Sequence, residues 1–504
     1  MRNFLILTLA ALAALSAQTP PPEKAAAPAS ATPPPAPVET TSHTKHDITL
    51  NGKKIPYTAT AGTLILKKDD GKPWASMFYV AYTRDDMPDV SKRPITFSFN
   101  GGPGSSSVWL HLGALGPKRV DLGPEGEQPK PPYSVVDNPD TALEFTDIVF
   151  IDPVSTGFSR EAPGTNASEF HGYEGDLKSV AEFIRLYLAE SNRFASPKFL
   201  AGESYGTTRA AALSEYLIRM HGIYLNGVTL VSSVLNFGTI SFASGHDLPY
   251  ALFLPTYTAT AWYHKKLPND LQSNLEKAVG ESRRFAGGEY TTALMKGDKL
   301  TAAERAEITK QLARLTGLSP AFLTQTNLRV NPARFEKELL RADRQTIGRY
   351  DSRLEGADVD AAGERPEYDP SYAAVQGAFT AAFNDYVRGQ LNYKTDLTYE
   401  ILTDKVNPWS FKEFENRYVN VAERLRQAMT QNHDMRVMIA NGYYDLATPF
   451  YATEYTVSHL GLEPALASHI SLTYCEAGHM LYTKQTCLDS LHSSMTDFYA
   501  KSTR

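Results

Sequence analysis

The sequence predicts an α/β fold with a mixed, mostly parallel central sheet and a mainly helical insertion. Three observations predict it. Short apolar runs at residues 95–99, 147–151, 199–201 and 228–231 alternate with helical patterns, and two more follow at 436–440 and 469–472. That alternation is what parallel strands joined by crossover helices require. Residues 177–188 and 208–220 carry apolar side chains at helical spacing between those runs. From 267 to 354, charged helix formers dominate and strand-like runs are scarce, with further helical pattern at 375–391.

The elements follow in order. Residues 1–17 place Arg2 ahead of an apolar run, with the small residues Ser16 and Ala17 behind it, the pattern of a secretory signal peptide. The run falls short of the ~20 apolar residues that a bilayer core needs, so no stable membrane insertion is expected. The expectation is an exported protein, periplasmic or secreted. Residues 18–45, rich in Pro and Ala at their start, are expected to form an extended tether. The first part of the core is expected over 46–244. It opens with β-rich runs at 53–59, 63–66 and 77–82, and the turn signals Asn51-Gly52 and Asp70-Gly71 predict an antiparallel start to the sheet. Residues 245–393 form the helical insertion, a cap, and 394–504 complete the core with a last amphipathic helix near 487–499.

Composition narrows the class. The chain has 504 residues, of which 42% are hydrophobic, enough apolar material for one large core and an inserted unit. The net charge of -6 arises from 50 basic and 56 acidic residues mixed along the chain, so no basic field exists to hold nucleic acid or anionic lipid. Cys475 and Cys487 are the two cysteines. In an oxidising compartment they form one short-loop disulfide, or they are two buried thiols. They are too few for a metal site, and neither metal nor other cofactor is expected.

Three segments carry chemistry. The run Phe199-Leu200-Ala201-Gly202-Glu203-Ser204-Tyr205-Gly206 is an apolar strand ending in Gly-x-Ser-x-Gly and followed by a helical pattern, the context of a nucleophile elbow. A serine hydroxyl is a weak nucleophile and needs a base, itself oriented by a third group. In an α/β-hydrolase fold the chain order is Ser, then Asp or Glu, then His. Asp445 and His479 satisfy that order, each on a loop just beyond a strand-like run. The third segment is Asn100-Gly101-Gly102-Pro103-Gly104-Ser105-Ser106-Ser107. Its glycines let backbone N–H groups approach a developing oxyanion. A phosphate loop would need a Gly-Lys-Ser/Thr ending, which is missing.

Together with Ala477-Gly478-His479-Met480, these segments resemble the serine carboxypeptidase family across nearly the whole expected mature chain. The resemblance implies Ser204 as nucleophile, His479 as base and Asp445 as its orienter, with the N–H groups of Gly102 and Tyr205 as oxyanion hole. It implies that Asn100 and a protonated Glu203 bind the substrate's terminal carboxylate, because two like charges cannot cheaply share a site. Cleavage of peptide C-termini with an acidic optimum follows. Three positions depart from the family: Ser98 where a tryptophan is usual, Ala114 where a glutamate is usual, and Ser105 in place of a cysteine. The first two leave a serine esterase or acyltransferase on the same triad as the alternative. A catalytically silent binding protein on this scaffold is a third reading. Near the start of the insertion, Tyr257, Trp262 and Tyr263 either line a hydrophobic subsite or pack the insertion's own core.

Overall fold

The computed structural model describes residues 37–127 and 129–504. The expected signal peptide and most of the expected tether lie outside the described residues. Nine strands form the spine of the molecule: β1 (Thr41–Leu50), β2 (Lys53–Lys67), β3 (Pro73–Arg84), β4 (Ile95–Phe99), β5 (Asp147–Ile151), β6 (Lys198–Ser204), β7 (Gly227–Ser233), β8 (Arg436–Gly442) and β9 (Ile470–Cys475). Their order in the sheet is β1-β2-β3-β5-β4-β6-β7-β8-β9, and the short strand Arg160–Glu161 adds to β3. The first three strands and the β3–β5 join are antiparallel, and every pairing from β5 to β9 is parallel. The β1–β2 hairpin turns at Asn51-Gly52, both with positive φ, as the sequence signal requires.

One correction concerns the tether. Strand β1 begins at Thr41, inside the 18–45 stretch, because residues from Thr41 onward pair in register with β2, Thr41 facing Gly62 and Lys45 facing Thr58. Inter-strand hydrogen bonding supplied the order that local composition did not.

The sheet is covered on both faces, and the pleat decides which side chain goes where. In β5, Ile148 and Phe150 enter one core and Val149 and Ile151 the other. The second core is built by α1 (Tyr173–Glu190) and α2 (Tyr205–His221), with a contribution near 422–429. A helix N-capped by Thr301 in a capping box and others over 248–338 make a separate core of their own, in which Tyr257, Leu312 and Phe335 are buried. The stretch 245–393 therefore divides. The long helix Pro370–Gly389 leaves that helical group and packs Val375, Phe379 and Phe383 onto the first face of the sheet, beside the helix Gln485–Ser502. Among the described residues no helix is long and apolar enough to cross a membrane.

Candidate active site

The sheet's parallel half brings three loops together at the ends of β4, β6 and β8–β9. Ser204 is the last residue of β6 and has φ 59° and ψ -129°, a left-handed conformation that turns the chain directly into α2. Its neighbours explain how so sharp a turn fits. A Cβ on Gly202 would lie 2.2 Å from the Gly206 carbonyl oxygen, so strand and helix approach each other only through glycine.

The loop 100–107 lies directly against this elbow. A Cβ on Gly101 would lie 2.3 Å from the Tyr205 nitrogen. Gly102, with φ +97°, Ser204 and Tyr205 line one pocket together with Asn100, Glu203 and His479. Two buried carboxylates brace the loop, and neither was singled out in the sequence. Asp176 on α1 takes a bidentate pair from Arg209 on α2 at 2.8 and 3.0 Å, and Arg209 also donates to the Asn100 carbonyl at 2.7 Å. Asp152, just beyond β5, accepts from the Ser107 N–H at 2.9 Å and the Ser107 hydroxyl at 2.8 Å. Burial pushes the Asp152 carboxyl up to about 6 against those bonds. Ser105, at the family's cysteine position, receives the Trp109 indole N–H at 2.9 Å and donates to the Ile401 carbonyl. Hydrogen bonds hold this corner.

Asp445 and His479 meet beyond β8 and β9. The His479 Nδ1 lies 2.7 Å from Asp445 Oδ2, and both residues are buried. The remaining capacity of Asp445 is filled by its own turn: Ala447 N–H and Thr448 N–H donate to Oδ1, and the Thr448 hydroxyl to Oδ2. The His479 backbone is pinned from two sides, its N–H donating to the Tyr350 carbonyl and its carbonyl accepting from Ser232. Burial alone would lower the His479 pKa. The Asp445 charge and hydrogen bond, helped by Glu203, outweigh it and raise the ring above its ordinary value. With Nδ1 turned to Asp445, Nε2 is the nitrogen free to take a proton.

Glu203 and Asn100 are also joined. Asn100 Nδ2 donates to Glu203 Oε2 at 3.0 Å, and the Tyr482 hydroxyl donates to the same oxygen at 2.6 Å. Asn100 Oδ1 is occupied by the Leu110 N–H. Burial pushes the Glu203 carboxyl up to about 7, although His479 and both hydrogen bonds pull it down. Ser98 is buried with an unpartnered hydroxyl, and Ala114 is buried in the helical segment 108–115. Neither supplies a donor to this group.

Cys475 at the end of β9 and Cys487 in the last helix are bridged, with Cα atoms 5.8 Å apart. Tyr257, Trp262 and Tyr263 do not line the pocket. Tyr257 stacks on Phe335 at 4.1 Å and donates to the Val330 carbonyl, so it packs the helical layer. The apolar walls of the pocket come instead from Trp109, Phe237, Ile240, Tyr372 and Met480. Sequence reading also missed Tyr482, Arg349 and Tyr350. Tyr482 lies three residues past His479, in the short turn Leu481–Thr483, and that proximity is a usable signal; Arg349 and Tyr350 have none. No cluster of His, Cys, Asp and Glu suited to a metal is present among the described residues.

A mixed, mostly parallel sheet of this order, a strained serine between strand and helix, and an Asp–His pair on later loops define an α/β-hydrolase fold. The chain belongs to the serine carboxypeptidase family, whose profile matches residues 53–480. It is 27% identical to serine carboxypeptidase-like 37 of Arabidopsis thaliana over 227 residues, 42% of this chain and 44% of that protein. It is 32% identical to carboxypeptidase Y of Schizosaccharomyces pombe over 119 residues, 23% of this chain and 11% of that protein. The chain thus spans less than half the length of these relatives. A prohormone-processing carboxypeptidase of Saccharomyces cerevisiae superposes with a TM-score of 0.54 at 16% identity, over 88% of this chain and 91% of that one, a likeness of fold.

Proposed function

We propose that this chain is an exported serine-type carboxypeptidase that releases C-terminal residues from peptides. The observation that supports it most is the convergence of Ser204, the buried Asp445–His479 pair and the Asn100–Glu203 pair at one site. In this reading Ser204 Oγ attacks the last peptide carbonyl while His479 Nε2 takes the hydroxyl proton. The N–H groups of Gly102 and Tyr205 stabilise the oxyanion. His479 returns the proton to the leaving amine, freeing the terminal amino acid and leaving an acyl group on Ser204. Water then attacks, its proton passing to His479 and on to Ser204, and the shortened peptide departs.

Asn100 and Glu203 hold the terminal carboxylate. A carboxyl that titrates near 7 is protonated on the acid side and can donate, whereas above that pH it repels a second carboxylate. Cleavage of free-acid peptides is therefore favoured toward lower pH, down to the point where His479 itself is protonated.

A serine esterase or acyltransferase on the same triad is the second reading, favoured by Ser98 and Ala114, which add nothing to the carboxylate clamp. One assay separates the two: kcat/KM across pH for a peptide as free acid, as C-terminal amide and as ester. A carboxypeptidase prefers the free acid strongly, and that preference fades above pH 7. Equal rates on acid and amide, with fast ester turnover, refute it. Labelling by an active-site serine reagent that disappears in Ser204→Ala excludes a silent binding protein.

A further inference from the structure

A second cleft opens from the catalytic pocket and shares Ile240, Arg349 and Ala447 with it. Neither Asn100 nor Glu203 lines it, so it leads away from the carboxylate clamp. Arg349 follows the short strand Gln345–Ile347 and stands at the junction. Its backbone is fixed, the N–H donating to Asp369 Oδ1 at 3.1 Å and the carbonyl accepting from Leu446 at 3.0 Å. Its side chain is exposed, with the guanidinium carbon 5.4 Å from the centre of the Tyr350 ring, which in turn lies 5.2 Å from the His479 ring.

The charge balance of this cleft is uneven. Its acid Glu364 is paired with Arg334 at 3.1 Å, whereas Arg349 and Arg365 enter no ion pair among the described residues. Glu336 also lines the cleft and is buried, and its Oε1 has no hydrogen-bond partner. Burial pushes this carboxyl up to about 8, against the pull of Arg349 and with a push from Asp369. Around neutral pH it is a donor, not a competing anion. Two guanidiniums without a carboxylate partner, beside a buried carboxyl that is uncharged, suit a ligand carboxylate, which accepts from the guanidiniums.

We propose that this cleft is a subsite for an acidic side chain on the acyl side of the scissile bond, with Arg349 as the residue that sets the preference. The inference rests on the carboxypeptidase reading: with the terminal carboxylate at Asn100 and Glu203, the leaving residue occupies that end, and the penultimate side chain turns toward Ile240, Ala447 and Arg349. A glutamate there gains charge-assisted hydrogen bonds that glutamine does not, and a lysine meets unpaired like charge.

The test uses N-blocked dipeptides with Glu or Gln in the penultimate position and Phe at the C-terminus, with wild type, Arg349→Met and Arg349→Lys. Wild type is expected to favour Glu over Gln by about tenfold or more in kcat/KM, as one charged hydrogen bond allows. Arg349→Met brings the ratio to about one, and Arg349→Lys restores part of it. Equal rates on Glu and Gln in wild type, or an unchanged ratio in Arg349→Met, overturn the proposal. If Arg349→Met instead abolishes the discrimination between free acid and amide while the Glu/Gln ratio is one, Arg349 reads the terminal carboxylate and the proposal is overturned in that direction. Calorimetric binding of the same peptides to Ser204→Ala reports the Glu/Gln affinity ratio without turnover. A failure of the carboxypeptidase reading shows as absent peptide cleavage by wild type, a failure of the subsite as an affinity ratio of one.

Discussion

Asp445 and Glu203 are both buried carboxyl groups of one site, yet the fold surrounds them differently. Asp445 accepts from Ala447, Thr448 and His479 across both of its oxygens, and three of those four bonds come from the turn it sits in. Glu203 receives two bonds on a single oxygen, from Asn100 and Tyr482, which are 103 and 279 positions away in the chain. Burial then dominates, and its carboxyl titrates near 7. A locally capped carboxylate can orient a histidine; a sparsely solvated one can donate to another carboxylate. The difference supports the two roles proposed for them.

The largest expected effect breaks the first member of the pair. Asp445→Asn keeps the shape but offers His479 the wrong hydrogen-bonding partner, and kcat for a peptide or ester should fall by about 10⁴-fold. A fall of less than tenfold in a folded variant would show that His479 does not depend on Asp445. Next is the support of the loop that carries Asn100. Arg209→Met leaves Asp176 buried without its partner and the Asn100 carbonyl without its donor, which should cost about 3–5 kcal/mol of stability in denaturant titration. A loss under about 1 kcal/mol would mean that the pair's desolvation cost cancels its attraction.

Glu203→Gln tests the second member. An amide cannot ionise, so the decline of free-acid peptide cleavage above pH 7 should flatten, measured as kcat/KM against pH. If the alkaline limb persists, another group carries it. Tyr482→Phe has the smallest effect and a defined sign. The hydroxyl favours the ionised form of Glu203, so its removal should move the alkaline limb to higher pH. A shift to lower pH would contradict the assignment of that limb to Glu203.

Much of this site was legible in the sequence because its geometry is local. Gly202, Ser204 and Gly206 announce a strand-to-helix turn, and the runs before Asp445 and His479 announce the strand ends on which those residues stand. The sheet followed from alternating patterns for the same reason. Where the reading went astray or stayed open, the deciding interaction was remote. Residues 41–45 look like tether until β2 pairs with them. Tyr257 is an aromatic near the insertion's start, and only its stacking on Phe335 shows that it packs the helical layer.

The sequence by itself determined the strand–helix alternation and the serine turn, since each depends on residues within a few positions of one another, and it placed Asp445 and His479 in order after Ser204, each just beyond a strand-like run. Tertiary structure alone decided how Glu203 is solvated, how Arg209 ties α1, α2 and the Asn100 loop together, and where Arg349 stands. Those properties depend on burial and on partners brought from distant parts of the chain, and neither burial nor distance in space is written in local pattern.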